Sequence, residues 1–186
     1  MNNIISMNSL QSSTTYHVGD YYNANGKAGV VFWVDDSGEH GKIVSLDQEY
    51  LEWSTIDQYE RNVIVDTLDH ADGQVNTNKV LQRPDKSEYP AFLWCVELGE
   101  GWYLPAIDEL NLLLLDADVR NAVNLALEGL GVSMLLNVGE LGEYWSSTEY
   151  RTFQQAYGAW CVYMEEGLSS NSLKFSRRYV RAVATF

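Results

Sequence analysis

Short β-rich runs at both ends of the chain, with helical patterns between them, limit what this sequence can fold into. Near the N-terminus the runs "HVGDYY", "AGVVFWVD" and "GKIVSL" are separated by "NANGK" and "DSGEH". Gly and Asn provide the backbone conformations of tight turns between antiparallel strands. We therefore predict three strands in a meander. The runs "EYWSSTEY", "AWCVYM" and "YVRAVATF" return to strand-like patterns near the C-terminus.

Alternation within "AWCVYM" predicts how this strand is oriented. Successive side chains of a strand point to opposite faces of the sheet. Trp160, Val162 and Met164 then share the face that packs on the core. Cys161 and Tyr163 share the other face, which we expect to point outward.

Four segments in the middle of the chain have the features of helices. They are "ADGQVNTNKVLQ", "YPAFLWCVELGEG", "LPAIDELNLLLLD" and "VRNAVNLALEGLG". Pro near the start and Gly near the end are typical of helix boundaries. Asp108 and Glu109 fall in the first turn of the third segment, where carboxylates oppose the helix dipole. We interpret them as helix-start residues rather than as a catalytic carboxylate pair.

The length and composition indicate one folded domain. The chain has 186 residues, of which 46% are hydrophobic, enough to bury a core. Residues 1–16 are polar and lack apolar periodicity, which predicts an N-terminal arm. The domain is then expected to occupy residues 17–186. No apolar run approaches a membrane span, and the first residues lack the basic and long apolar regions of a signal peptide, so we expect no membrane insertion.

The charge is strongly negative and unevenly distributed. The formal net charge is −14, which disfavours nucleic acid as a partner because an acidic surface repels phosphates. Residues 1–149 carry a net charge of −17, whereas residues 150–186 carry +3. Because Arg pairs with carboxylates and stacks on rings, we expect this C-terminal segment to prefer an acidic or aromatic partner surface.

The candidate metal and redox residues form no recognisable site. Cys95 and Cys161 make no disulfide framework, and we expect both to be free and partly buried, although the sequence leaves their pairing open. The three histidines are isolated, and "VDDSGE" and "LDADV" lack the ligand spacing of an EF-hand. We therefore predict no catalytic residues, no metal and no cofactor.

Residues 169–178 match neither the strand nor the helix template, yet they directly precede a strand-like run. Together with residues 150–153, they contain Tyr, Phe and Arg, which often make the largest contributions at protein interfaces. One interpretation is a binding surface supported by the flanking strands. The alternative is an irregular surface loop without a ligand.

Five segments, taken in order and at their separations, carry a family resemblance. They are "GVVFWVDDSGEHGKIVSL", "DGQVNTNKVL", "GWYLPAIDELNLLL", "YWSSTEY" and "YVRAVATF". Over residues 17–186 the chain resembles bacterial C-type-lectin-fold domains related to formylglycine-generating enzymes, and especially the variable proteins of diversity-generating retroelements. The resemblance implies an α+β domain with small twisted antiparallel sheets and short flanking helices. It also implies a ligand-binding surface within residues 145–180.

In such retroelements, errors at template adenines turn AAC codons into NNC codons, which cannot encode Gln, Glu, Lys, Met or Trp. None of these five types occurs among the thirteen residues 150–153, 169–173 and 175–178. Lys174, Gln154, Gln155, Glu165 and Glu166 would be fixed positions between them. The pattern is the one that diversification of this segment would leave.

The resemblance and this pattern together define the predicted site. We expect sixteen residues to form one ligand-binding surface: Tyr150, Arg151, Thr152, Phe153, Tyr157, Cys161, Tyr163, Ser169, Ser170, Asn171, Ser172, Leu173, Phe175, Ser176, Arg177 and Arg178.

The resemblance also bears on function and location. The chain lacks the close cysteine pair with which formylglycine-generating enzymes work, so we predict a non-enzymatic binding module, of receptor or adhesin type. The calcium-binding motifs EPN, QPD and WND of sugar-binding lectins are absent from the sequence, and a protein ligand is expected rather than a glycan. The expected location is a cell surface, the extracellular space or a phage particle. The alternative is an undiversified structural or assembly domain of such a surface or particle.

Overall fold

The computed structural model describes residues 14–57, 59–152 and 155–186. The strands are β1 (Tyr21–Ala24), β2 (Lys27–Val34), β3 (Gly41–Ser45), β4 (Glu49–Glu52), β5 (Trp102–Tyr103), β6 (Glu143–Tyr150), β7 (Gly158–Tyr163), β8 (Leu168–Leu173), β9 (Arg177–Val180) and β10 (Val183–Thr185). The helices are α1 (Gly73–Leu81), α2 (Pro90–Glu97), α3 (Ile107–Leu115) and α4 (Ala117–Leu130).

These elements form an α+β structure with two five-stranded sheets. The first sheet has the strand order β1-β2-β3-β10-β5, and the second has the order β4-β9-β6-β7-β8. The strand pairs are antiparallel except β6 and β9, which run parallel where Tyr144 pairs with Tyr179. The second sheet contains most of the residues predicted to bind a ligand.

Two apolar cores lie on opposite faces of the central strands. The first core joins Val31 of β2 and Trp145 of β6 with Phe92 of α2. The second core joins the neighbouring residues Val30 and Tyr144 with side chains of α3 and α4. Neighbouring residues on one strand therefore belong to different cores, because successive side chains point to opposite faces.

The predicted helices are all confirmed, and their ends have clear physical causes. Asp72 caps α1 by accepting a hydrogen bond from the Val75 N–H at 3.1 Å. The interpretation of Glu109 as a helix-start residue is also confirmed, since its Oε2 accepts the Ala106 N–H at 2.8 Å. None of the helices in the described part of the chain is long and apolar enough to cross a lipid bilayer.

The N-terminal strands β2 and β3 are confirmed, whereas β1 covers Tyr21–Ala24 instead of residues 17–22. The chain turns at Gly19, which has a φ of 93°, so β1 begins only at Tyr21. Tyr16, the last residue of the predicted arm, packs against Tyr22 and Phe186 with ring centroids 5.2 Å and 5.1 Å away. Residues 1–13 of that arm lie outside the described residues.

The prediction that residues 169–178 lack regular structure is wrong. Leu168–Leu173 form β8, which pairs with β7 over all six residues, and Arg177 begins β9. The β8 side chains are Ser and Asn between two Leu residues, so no apolar alternation marks the strand. Its order comes from main-chain pairing, which a hydrophobic pattern does not reveal.

The prediction that Cys161 points outward is also wrong. Its side chain is fully buried in the first core, beside Trp145 in the sheet register. Side chains of β7 do alternate between the two faces. Both faces of the strand are covered, however, so the alternation does not distinguish a solvent-exposed face from a buried one. Cys95 and Cys161 are both buried and unpaired with one another, as free thiols.

The run "YVRAVATF" is two strands in different sheets rather than one. β9 ends at Val180 in the second sheet, and β10 begins at Val183 in the first. Arg181 lies at the crossing and is fully buried. Its Nη1 donates to the carbonyl oxygens of Ser45 at 2.8 Å and Leu46 at 2.9 Å, and its Nη2 donates to the carbonyl of Ser133. One side chain thus ties two loops to the junction of the sheets.

Replacing Arg181 by Met should lower the free energy of unfolding by about 3 kcal/mol or more, because buried carbonyl groups lose their donors. Urea-induced unfolding followed by tryptophan fluorescence measures the loss. Arg61→Met is the control, since Arg61 is exposed and its loss should cost within about 0.5 kcal/mol. Equal losses in the two variants would show that Arg181 does not hold the crossing together.

Candidate binding surface

Strand pairing brings three separate segments of the predicted site together. Tyr150 at the end of β6 pairs with Gly158 at the start of β7, and Gly158 pairs with Leu173 at the end of β8. Two residues along β8, Asn171 pairs with Trp160. Residues more than twenty positions apart in sequence therefore lie side by side at one corner of the second sheet.

An open cavity of about 170 Å³ lies at this corner. We call it the Tyr150 cavity. Its lining residues are Tyr150, Thr152, Gln155, Tyr157, Gly158, Asn171 and Leu173. Five of them belong to the predicted site, whereas Gln155 and Gly158 do not. Thr152 and Asn171 are exposed, and the predicted tyrosines are half-buried.

Gly158 keeps the floor of the Tyr150 cavity open. A Cβ at this position would lie 3.3 Å from the Ser172 carbonyl oxygen and 3.4 Å from Asn171 Oδ1 and Tyr150 Cδ1. These contacts are tighter than most contacts of a real Cβ, so a larger residue would push against the walls. Sequence reasoning missed Gly158 because a single glycine at the start of a strand has many explanations.

Aromatic rings extend the surface beside the cavity. The Tyr59 ring is 65% exposed, and its centroid lies 5.6 Å from that of Tyr157 and 5.7 Å from that of Phe175. Tyr150 packs edge-on against Trp160 at 5.2 Å. Tyr59 is a further residue that the sequence did not reveal, because it lies more than ninety positions before Tyr150, the first residue of the predicted site.

A buried ion pair supports this corner from below. Lys174 Nζ lies 2.5 Å from Glu149 Oε1, and both side chains are fully buried. Glu149 also accepts the main-chain N–H groups of Val65 and Asp66, each at 2.9 Å. The Lys174 ammonium lies 4.8 Å from the centre of the Trp53 ring. Burial lowers the pKa of Lys174, while the negative charge of Glu149 favours its protonated form.

A second group of predicted residues surrounds Glu143 instead of the cavity. The Arg178 guanidinium is paired with the Glu143 carboxylate, and its Nη2 donates to Ser172 Oγ at 2.7 Å. The Cys161 thiol lies 4.0 Å from Glu143 Oε2. Burial, reinforced by the charge of Glu143, raises the pKa of Cys161 to about 12. The thiol is therefore protonated at neutral pH and is not a nucleophile.

The remaining predicted residues lie in other places. Ser169 Oγ contacts Asn111 Oδ1 of α3 at 2.6 Å, and Arg151 pairs with Asp66 at 3.3 Å. Arg177 Nε donates to the Tyr50 carbonyl at 3.0 Å, on β4. The Tyr163 hydroxyl reaches the Asn171 carbonyl oxygen at 3.5 Å. Three further predicted residues are placed as follows: Ser170 is half-buried opposite Cys161, Ser176 is half-buried in the turn after β8, and Phe153 lies outside the described residues.

The expectation of a single shared surface is therefore wrong. Successive residues of β8 point to opposite faces, so Ser170 and Ser172 are separated from Ser169, Asn171 and Leu173. The Tyr150 cavity and the Glu143 group are on different sides of the sheet. The cavity is the candidate site, because its lining side chains are accessible and are not consumed by ion pairs.

The positive charge of residues 150–186, which the sequence suggests for contact with an acidic partner, is largely paired within the chain. The five cations of residues 150–186 each have a partner: Arg151 pairs with Asp66, Lys174 with Glu149, Arg177 with Tyr50 and Glu52, Arg178 with Glu143, and Arg181 with main-chain carbonyls. The net charge of +3 counts only residues 150–186 and leaves out acidic side chains from other parts of the chain. Acidic partners from the rest of the chain lie beside these side chains.

The described residues contain no group of three or more His, Cys, Asp or Glu side chains arranged to hold a metal ion. The chemistry of the Tyr150 cavity is that of phenol rings, amides and a hydroxyl. Such groups can stack on and hydrogen-bond to a ligand.

Comparison with known proteins identifies a similar fold. No family model matches the chain, and no curated protein matches it. Among solved structures, it is similar to a fimbrial protein from Bacteroides ovatus ATCC 8483, with a TM-score of 0.65 and 19% sequence identity. The similarity covers 92% of this chain and 49% of that protein, so this chain spans about half of its length. At this identity the similarity establishes a shared α+β fold.

Replacing Lys174 by Met should cost about 3–5 kcal/mol of stability, because the Glu149 carboxylate would stay buried without its cation. Chemical denaturation measures this cost. Lys86→Met is the matched control, since Lys86 is exposed and the change should stay within about 0.5 kcal/mol. If Lys174→Met were as stable as the control, the ion pair would not be what supports the corner of the sheet.

Proposed function

We propose that this chain is a non-enzymatic binding module that engages a protein ligand through the Tyr150 cavity and the aromatic rings beside it. One observation carries the proposal. Five residues predicted from the sequence, on three separate segments, line a single open cavity, while Lys174, which directly follows Leu173, is buried. The side chains that line the cavity are therefore different from the buried side chains that support it.

The composition of the surface favours a protein ligand. Tyr side chains offer large contact areas with few rotatable bonds, and Asn and Thr adapt their hydrogen bonds to different partners. Tyr150, Tyr157 and Tyr59 supply the rings, and Thr152 and Asn171 supply the polar groups. This combination is typical of binding surfaces that tolerate changes in sequence.

We further propose that a diversity-generating retroelement varies this surface. Side chains can vary only where they neither fill the core nor complete a buried hydrogen bond. Thr152 and Asn171 are exposed and meet this requirement, whereas Lys174 is buried and, as AAA or AAG, lies outside the NNC set. The burial of Lys174 gives a physical reason for a fixed position within a variable segment.

Two further observations support a C-type-lectin fold and a cell-surface location. The segments that resemble variable proteins include β6 and β9, which lie next to one another in the second sheet. The similar solved structure is named a fimbrial protein, and we take a cell-surface location from that name. The surface and the location together describe a receptor or adhesin.

The alternative function is that of a structural or assembly domain. The word "fimbrial" in the name of the similar structure supports it equally well. In that case the Tyr150 cavity would be covered by another copy of the chain. Light scattering separates the two, because a binding module should remain a monomer and an assembly domain should form oligomers that cavity substitutions disrupt.

The binding proposal is tested by filling the cavity from its exposed positions. In the double variant Thr152→Tyr and Asn171→Tyr, new rings should occupy the space without disturbing the core. Labelled chain is applied to an array of purified extracellular proteins and to a glycan array. We expect the wild-type chain to bind a protein, and the double variant to bind it at least tenfold more weakly, a loss of about 1.4 kcal/mol.

Asn23→Tyr is the control, since Asn23 is exposed on β1 in the other sheet. Its affinity should stay within about twofold of the wild type, a difference under about 0.5 kcal/mol. Melting temperatures of both variants should stay within about 4 °C of the wild type. Binding only to glycans would contradict the protein ligand, and equal binding by the double variant would remove the cavity from the site.

Diversification has its own test in the encoding DNA. NNC codons at the thirteen positions, together with a nearby copy of the segment carrying adenines at the variable bases, would establish it. Other codons at most of these positions would contradict it without affecting the binding proposal.

A further inference from the structure

The outer edge of β8 is the least protected strand edge in the described sheets. β8 and β4 end the second sheet, and β1 and β5 end the first. β5 has two residues, β1 has four, and β4 has four residues and carries Glu49 and Glu52. β8 has six residues, a regular register with β7, and neither proline nor charge. Proteins normally block such an edge, because it can pair with another chain.

The hydrogen-bonding pattern between β7 and β8 identifies which main-chain groups of β8 face outward. The Lys174 N–H donates to the Tyr157 carbonyl at 3.0 Å. In an antiparallel pair, hydrogen-bonded positions alternate, so Ser170 and Ser172 bond to β7. The main-chain groups of Ser169, Asn171 and Leu173 then point away from β7.

These outward groups are mostly available. The Asn171 carbonyl accepts a long hydrogen bond of 3.5 Å from the Tyr163 hydroxyl, and the Leu173 carbonyl accepts the Ser176 N–H at 2.9 Å. Among the residues that the structure describes, the N–H groups of Ser169, Asn171 and Leu173 donate no main-chain hydrogen bond outside the β7–β8 ladder, and its phase directs them away from β7. Three donors spaced two residues apart are the pattern that an added strand recognises.

The open edge adjoins the Tyr150 cavity. Asn171 and Leu173 contribute outward main-chain groups to the edge and side chains to the cavity. A strand laid along β8 would have alternate side chains directed to the cavity side of the sheet. Hydrogen bonds to the main chain and a pocket for a side chain are the two components of recognition by strand addition.

We propose that β8 binds an extended segment of the protein ligand as an additional strand, with one aromatic or aliphatic side chain of that segment in the Tyr150 cavity. This inference rests on the proposed function and specifies how the ligand is held. Main-chain pairing contributes affinity that is independent of side-chain identity. Changes at Asn171 or Leu173 then alter specificity while the pairing persists.

The charges favour another protein over a second copy of this chain. Two copies carrying −14 each would repel one another on approach. β8 itself has no charged residue, so an uncharged ligand segment fits along it. The occupant is therefore an uncharged, extended segment of a different protein.

The test removes one outward N–H group and leaves the pairing with β7 intact. Asn171→Pro lacks the N–H, and Asn171→Ala lacks the same side chain but keeps the N–H, so their comparison isolates the main-chain donor. The probes are peptides selected from a displayed library of ten-residue segments on the full wild-type chain. We expect them to bind Asn171→Pro at least tenfold more weakly than Asn171→Ala.

A stability control confirms the direction of each N–H group. Asn171→Pro should melt close to Asn171→Ala, because proline is tolerated on edge strands whose N–H faces solvent. Ser170→Pro should be much less stable, because it removes a hydrogen bond to β7 and places a proline ring against that strand. Equal melting of Asn171→Pro and Ser170→Pro would overturn the assignment of the outward groups.

The binding outcomes decide between edge pairing and side-chain contact alone. Peptides that also lose binding when their alternate amides are N-methylated support the added strand. Peptides that bind both Asn171 variants equally, or a library without binders that depend on β8, overturn it. In a further outcome, the array protein binds the Thr152→Tyr and Asn171→Tyr double variant weakly but binds Asn171→Pro as well as Asn171→Ala. That result would support the proposed function and overturn pairing at the β8 edge.

Discussion

The buried ion pair between Lys174 and Glu149 fixes the part of the fold on which the candidate surface depends. The chain passes from β8 to β9 within residues 174–176, although β7 and β6 lie between these strands in the sheet. Lys174 secures this crossing with three contacts. Its N–H donates to the Tyr157 carbonyl, its carbonyl accepts the Ser54 N–H, and its ammonium group pairs with the Glu149 carboxylate. Because an unpaired charge in this position would be costly, the pair admits few alternative arrangements.

Because of this arrangement, the residues that stabilise the corner differ from the residues at its surface. Lys174 points into the protein, so its neighbours Leu173 and Phe175 stay half-buried at the surface, one in the cavity wall and one beside Tyr59. Side chains at the surface can change without breaking the ion pair. A binding module with variable contacts needs this property, because stability and specificity then rest on different residues.

Elements that are marked by a side-chain pattern could be predicted from the sequence. A strand that is held only by main-chain pairing could not. Helix α3 has apolar residues at helical spacing, and β2 and β3 lie between clear turns, so patterns sufficed. β8 has serines and an asparagine, and no pattern marks it. Cys161 was misplaced because both faces of β7 are covered. Five cavity residues were predicted, whereas Gly158 and Gln155 were missed because their roles depend on the fold.

Charge illustrates why a local count does not describe a surface. Residues 150–186 have a net charge of +3, yet Arg178 is paired with Glu143, Arg181 is surrounded by carbonyl groups and Lys174 is paired with Glu149. Their positive charge is used to join distant parts of an acidic chain. Under the proposed function, recognition at this corner would depend instead on the rings around the Tyr150 cavity and on the outward N–H groups of β8.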